Sequence, residues 1–171
     1  MELFVKTKEV LEEYAKELVR LYKQRLTDDG KVASGNLVNS VNFIIESGNN
    51  IISVSLSLAD YWVWVERGRA AGKFPPIDNI LNWIRVKAIV PDERNGRVPD
   101  ENQLAFLIAR SIAGKSPNQA NLKNPEGGIK AGNQLKETQE DINERWMKRI
   151  EDAVTEDIAN ELDAILTFFV D

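Results

Sequence analysis

Between Leu135 and Phe169 the apolar residues return at helical spacing. Ile142, Trp146, Ile150, Val154, Ile158, Leu162, Ile165 and Phe169 fall on one stripe. A helix over this segment spans roughly 50 Å, and it commits the C-terminal part of the chain to one rod. A shorter helical face opens the chain. Phe4, Leu11, Tyr14, Leu18 and Leu21 recur with Glu12, Glu13, Lys16 and Glu17 among them, predicting a helix from about Leu3 to Leu26. Thr27-Asp28-Asp29-Gly30 should stop it, because Asp favours turns and Gly accepts the left-handed conformation of a helix end.

The middle of the chain reads differently. Ser34 is placed to cap a short helical turn. Val41-Asn42-Phe43-Ile44-Ile45-Glu46 is rich in β-branched and aromatic residues, and Gly48-Asn49-Asn50 signals a turn. Ile51 to Leu58 then alternates apolar residues with serine, as a half-buried strand does. The two runs predict an antiparallel hairpin. Ala59 to Gly68 predicts a short helix or a kinked passage from strand to helix. After Pro75 and Pro76, a helix should bury Ile77, Ile80, Leu81, Ile84 and Ala88, and another should bury Leu104, Leu107, Ile108 and Ile112. Residues 114–134 carry Gly114, Pro117, Pro125, Gly127, Gly128 and Gly132 and predict an extended loop. The expected class is therefore α+β: long N- and C-terminal helices packed on a small antiparallel sheet, with short central helices and long loops. A two-stranded hairpin is marginal alone and needs the long helices or a neighbouring subunit to cover it.

Composition bounds the chemistry. With 171 residues the chain has the size of a single domain, 1–171, and its 43% hydrophobic content suits a packed core. There is no cysteine and no histidine. Disulfides, the usual Cys/His zinc sites, histidine general bases and Ser-His-Asp or Cys-His nucleophiles are all excluded. Carboxylate, lysine or tyrosine chemistry and oxygen-ligated Mg²⁺ or Ca²⁺ pass this filter. No cofactor is expected. The charged N-terminus lacks the pattern of a signal peptide, and no apolar run is long enough to cross a membrane, so a soluble protein made in the cytoplasm is expected.

Charge is unevenly spread. Residues 60–134 hold eleven cations against eight carboxylates, whereas residues 135–171 hold four against eleven. The plain reading of the acidic segment is a solvated helix face; the sharper one is that this helix docks on a basic partner.

Three motifs dissolve under inspection. Gly114-Lys115-Ser116 lacks the upstream glycine of a phosphate loop, where Ala109 stands, and follows a helical pattern, so a helix end running into a loop suffices. Asp28-Asp29-Gly30 lacks the alternating ligands and distal Glu of a calcium loop. Glu137, Glu140, Asp141 and Glu144 suit the positive end of a helix dipole better than a metal. Tyr61-Trp62-Val63-Trp64-Val65-Glu66 is more informative, since its aromatics cannot all face one side of a helix. Either Tyr61, Trp64 and Val65 are core with Trp62 partly exposed, or Trp62 or Tyr61 anchors a partner. Arg67, Arg69 and Lys73, spaced by Gly68 and Gly72, make a basic loop suited to a solvated turn, to ion pairing or to phosphate contact.

Four ordered patches resemble the head–tail joining, or tail-completion, proteins of tailed bacteriophages: Ala33-Ser34-Gly35-Asn36-Leu37-Val38-Asn39-Ser40-Val41; Tyr61, Val65, Glu66 and Gly68; Gly72-Lys73-Phe74-Pro75-Pro76 with Ile80, Trp83 and Ile84; and Leu104-Ala105-Phe106 with Ile108-Ala109-Arg110. The resemblance covers roughly residues 1–115, and the last helix only by type. A departure lies at 114–134, which is longer and richer in Asn than the compact turn of such proteins. The resemblance implies a non-enzymatic virion protein of the head–tail neck, a homo-oligomeric ring between the portal or adaptor and the tail, with genomic DNA passing through it and no membrane. It makes Tyr61, Trp62, Trp64, Glu66, Arg67, Arg69, Lys73 and Phe74 candidate interface residues, with Arg67, Arg69 and Lys73 as candidate DNA-channel contacts. The loops at 67–76 and 114–134 are expected to contact neighbouring subunits and to become ordered on assembly, and Glu66 to pair with an Arg. The alternatives are a minor tail-tube or tail-terminator subunit, a DNA-packaging or assembly factor outside the virion, and an enzyme built on a carboxylate dyad.

Overall fold

A computed structural model describes residues 4–48, 51–93, 96–114 and 127–170, with side chains to residue 167. Among these residues the chain forms α1 (Val5–Asp28), α2 (Asn36–Ser40), β1 (Asn42–Gly48), β2 (Ile51–Ser57), α3 (Trp62–Arg67), α4 (Ile77–Val86), α5 (Glu101–Ala113) and α6 (Gln134–Val170). The class is α+β, with long first and last helices and one antiparallel hairpin. The chain divides into two compact units. One comprises residues 1–29, 38–59 and 134–171; the other comprises 30–37 and 60–133.

The first unit is organised by α1, which packs on α6 and on both strands. Val10 and Leu18 of α1 meet Ile142, Trp146 and Ala153 of α6, with Tyr14, Leu21, Leu135, Ile150 and Leu56 around them. Ala15, Tyr22 and Leu26 are also buried. This wide buried arc exceeds the single face read from the sequence, as befits a helix covered from more than one side. Trp146 anchors the pair: its indole N–H donates to Glu17 at 2.8 Å, Tyr14 meets it edge-on at 5.9 Å, and the Arg149 guanidinium lies 4.2 Å over its ring.

Polar contacts fix the antiparallel register. Glu13 pairs with Arg149, Glu17 with Arg145, and Arg25 with both Glu137 and Asp141. A one-turn slip in one direction would set Glu17 against Asp141, carboxylate on carboxylate, and a slip in the other would leave Glu13 opposite Ala153. Exposed pairs add little stability, so their effect is mainly on alignment. The acidic ladder at the start of α6 thus serves partly to hold Arg25. The N-terminus of α1 is closed from outside its own segment. Phe4 provides no side-chain cap. Instead the Asp157 carboxylate of α6 accepts from the backbone N–H groups of Lys6 at 3.0 Å and Thr7 at 2.7 Å, and from the Thr7 hydroxyl at 2.7 Å. Burial pushes this carboxyl upward, but the Thr7 and Lys6 donors and the Lys6 charge outweigh it and hold Asp157 below its ordinary value. At its other end α1 stops as expected: Asp29 donates to the Arg25 carbonyl at 3.0 Å, and Gly30 takes φ 64°.

The hairpin pairs Phe43 with Leu56, Ile45 with Val54 and Ser47 with Ile52. Because side chains alternate, these residues share one half-buried face, while Asn42, Ile44, Glu46, Ser53, Ser55 and Ser57 form the other. Ser34 does accept from the Asn36 N–H, at 3.4 Å, beside α2.

In the second unit α4 and α5 pack together. Ile80 and Ile84 meet Ala105 and Ala109, with Ile77, Leu81, Ile89, Leu104, Ile108 and Ile112 alongside. Two expectations need correction. Ala88 lies beyond the end of α4, exposed and at φ 48°. Leu107 is exposed, because the buried ridge of α5 is Ala105, Ala109 and Ala113, whose short side chains let the helices approach. A capping box starts α5: Asp100 accepts from the Gln103 N–H while the Gln103 side chain returns to the Asp100 N–H.

Two outcomes test this packing. Asp157→Ala should lower stability by about 1 kcal/mol near pH 7, the usual cost of losing a helix cap. A carboxyl held below its unfolded value stabilises the fold above the unfolded value, and that contribution fades as pH falls through the folded one. The gap between wild type and Asp157→Ala in urea unfolding should therefore shrink as pH falls through the folded value of this carboxyl. Ala109→Leu should cost about 1–3 kcal/mol by overpacking the α4–α5 contact, readable as a lower denaturation midpoint.

Candidate functional site

The second unit gathers most of the residues singled out in the sequence. Its local frame is set by two helix ends and one returning segment. α3 stops after one and a half turns because Gly68 takes φ 69°, ψ −160°. Arg69 then runs extended and pairs with Ile129, each N–H donating to the other carbonyl at 2.8 Å. A Cβ on Gly68 would lie 2.2 Å from the Ile129 carbonyl oxygen, so only glycine permits this approach.

The same returning segment satisfies carbonyls that helices leave open at their C-termini. The Gly132 N–H reaches the carbonyls of Val65 and Glu66, and the Asn133 N–H reaches Glu66, closing α3. The Gly128 N–H donates to Ile112 at 2.6 Å and the Gly72 N–H to Ala113 at 2.7 Å, closing α5. The loops at 67–76 and 114–134, read separately in the sequence, thus meet through their described parts. Residues 115–126, with Lys115 and Ser116 of the phosphate-loop comparison, lie outside the described residues, and Gly114 ends α5 at φ 60°.

This strapping leaves a cavity of about 600 Å³ lined by Trp64, Arg69, Ala70, Ala71, Lys73 and Ile129. Its wall combines an indole, aliphatic side chains and two cationic side chains, with no carboxylate among the described lining residues. The Arg69 guanidinium donates to the Lys73 carbonyl at 3.1 Å, which holds the two basic residues on one turn. Phe74 meets Phe106 of α5 with ring centroids 5.5 Å apart and planes tilted by 44°, and both rings stay exposed.

The aromatic run is placed almost opposite to its core reading. Trp64 is 62% and Tyr61 43% exposed. Trp62 and Val63 are half-buried and Glu66 is 6% exposed. The reason is helical: residues 62 and 66 share one face, residues 61 and 64 the other, and the buried face is the one carrying Glu66. Of the candidate interface residues, Trp64, Arg69 and Lys73 line one cavity. Tyr61, Arg67 and Phe74 are exposed outside its lining. Glu66 does not present a free side chain at the surface. Sequence reading missed Ile129, Ala70 and Ala71 as lining residues; the only signal was Gly127-Gly128, which marks backbone needing positive φ.

Chemically, the cavity suits an apolar group with anionic neighbours. No cluster of three carboxylates able to hold a metal occurs among the described residues. No described helix is long and apolar enough to cross a membrane. Comparison with known protein families, curated proteins and solved structures finds no match to this chain.

Gly68→Ala tests the strap. It should break the Arg69–Ile129 pairing at a cost of about 1–3 kcal/mol and make the segment after Gly127 cleavable under limited proteolysis. Unaltered resistance would show that this pairing does not hold the segment.

Proposed function

We propose that this chain is a structural subunit of the head–tail neck of a tailed phage, working through protein contacts in a homo-oligomeric ring between portal or adaptor and tail. The observation that carries the reading is the exposure of the Tyr61, Trp64, Lys73 and Phe74 side chains, with half-buried Arg69 beside Trp64 and Lys73 in one cavity wall. Aromatic and arginine side chains on a rigid frame are typical anchors of protein interfaces. Exposed apolar patches such as the Phe74–Phe106 ring pair mark contact sites on folded chains.

The ordered sequence patches supply the particular assembly. The second, third and fourth of them, at 61–68, 72–84 and 104–110, all fall in the unit that bears this surface. Arg67, Arg69 and Lys73 would meet acidic neighbours or, on a channel wall, DNA phosphates without sequence preference. The formal charge of −5 favours protein partners over a DNA-binding role.

Quantitative mass spectrometry of purified virions tests this reading. A fixed ratio to the portal, near about six or twelve copies per particle, is expected for a closed ring. Absence from finished particles would replace it with an assembly factor outside the virion.

A further inference from the structure

We propose that copies of this chain join head to tail, the C-terminal end of α6 in one copy docking on the Trp64 cavity of the next. The first observation is a helix that outlasts its cover. α6 has 37 residues and α1 has 24. Asp157 lies at the first turn of α1, so α6 continues past its partner by roughly 20 Å. Along that overhang the apolar stripe stays open: Ile158 is 49%, Leu162 54%, Ile165 45% and Leu166 62% exposed. Helices rarely carry a continuous apolar face into water without a partner.

Charge selects the occupant. From Ile150 to Asp171 there are seven carboxylates and no lysine or arginine. Two overhangs laid together would oppose like charges, and an anionic lipid surface would repel this one. The stripe calls for an apolar surface with a basic rim. This chain carries such a surface. The unit formed by residues 30–37 and 60–133 holds twelve cations against eight carboxylates, whereas the other unit holds ten against nineteen. The cavity there presents Trp64, Ile129, Ala70 and Ala71 between Arg69 and Lys73.

A helix enters such a groove through anchors at i and i+4, here Leu162 and Leu166. Glu161 and Asp163 flank the stripe and would face Arg69 and Lys73. Because the two surfaces differ, the contact is heterologous. It leaves one tail and one cavity open at each end of a growing row, which closes into a ring when the rotation allows. The inference deepens the assembly reading above and rests on its self-association alone, not on its place in a virion.

Sedimentation velocity on three proteins tests it: wild type, a tail variant (Leu162→Asn with Leu166→Asn) and a cavity variant (Trp64→Ala with Lys73→Glu). All four substituted positions are at the surface or in the cavity wall, and circular dichroism checks that each variant is folded. Wild type should associate with rising concentration and less so in high salt. Each variant alone should bind its like about 100-fold more weakly. Their equimolar mixture should form a dimer and stop, because it offers one intact tail and one intact cavity. Wild type that stays monomeric to about 1 mM overturns the proposal; a tail folded on its own chain's cavity would give that result. Variants that associate like wild type, or a mixture that stays monomeric, also overturn it. In the former case the ring reading survives with a different interface. A fixed copy ratio in virions alongside a monomeric wild type likewise removes this contact and leaves the neck assignment standing.

Discussion

The antiparallel pairing of α1 with α6 is the contact on which the first unit depends. The hairpin has two strands and one half-buried face, too little to stand alone. It gains cover from α1, and α1 is held in place by α6. The pairing combines a short apolar seam with polar devices at both ends. Trp146 fills the middle and spends its indole N–H on Glu17. Asp157 closes the start of α1, and Arg25 gathers Glu137 and Asp141 near its finish. The seam supplies most of the burial, while the charges choose which residues meet. An apolar stripe alone tolerates slips of one turn; here each slip would also lose at least one ion pair.

The second unit solves another problem. It has short helices whose open carbonyls are close to the surface, and among its described residues it has no named strand. A single returning segment answers this by donating N–H groups to the ends of α3 and α5. Glycine makes that possible at Gly68 and Gly128, where any side chain would strike backbone. The consequence reaches the surface of the unit. With the helix ends closed from one side, the exposed side of α3 is left to Tyr61 and Trp64, and the cavity beside it is edged by Arg69 and Lys73.

Net charge differs in sign between the two units. The acidic excess belongs to the unit that contains α6, and the basic excess to the unit that contains the cavity. A chain bearing opposite signs on separate surfaces is suited to contacts between different faces and poorly suited to twofold contacts between like faces. That distinction decides whether an oligomer closes as a pair or extends as a row.

Amino-acid order alone determined the elements whose periodicity is strong. The α1 stripe with its Gly30 stop, the hairpin from Val41 to Leu58, and the unbroken pattern from Leu135 onward were legible because a helix or strand writes its period directly into the apolar positions. The lack of cysteine and histidine removed whole classes of chemistry for the same direct reason. Tertiary structure decided what periodicity does not encode. It put Tyr61 and Trp64 outside and Glu66 inside, because a helix this short has no repeat to show which face is buried. It made Ala105, Ala109 and Ala113 the ridge of α5, where size mattered more than hydrophobicity. It capped α1 with a carboxylate some 150 residues away and paired Arg69 with Ile129 across an intervening helix pair. It also left the last turns of α6 uncovered, since a stripe in the sequence shows that a surface wants a partner and only the fold shows where the partner ends.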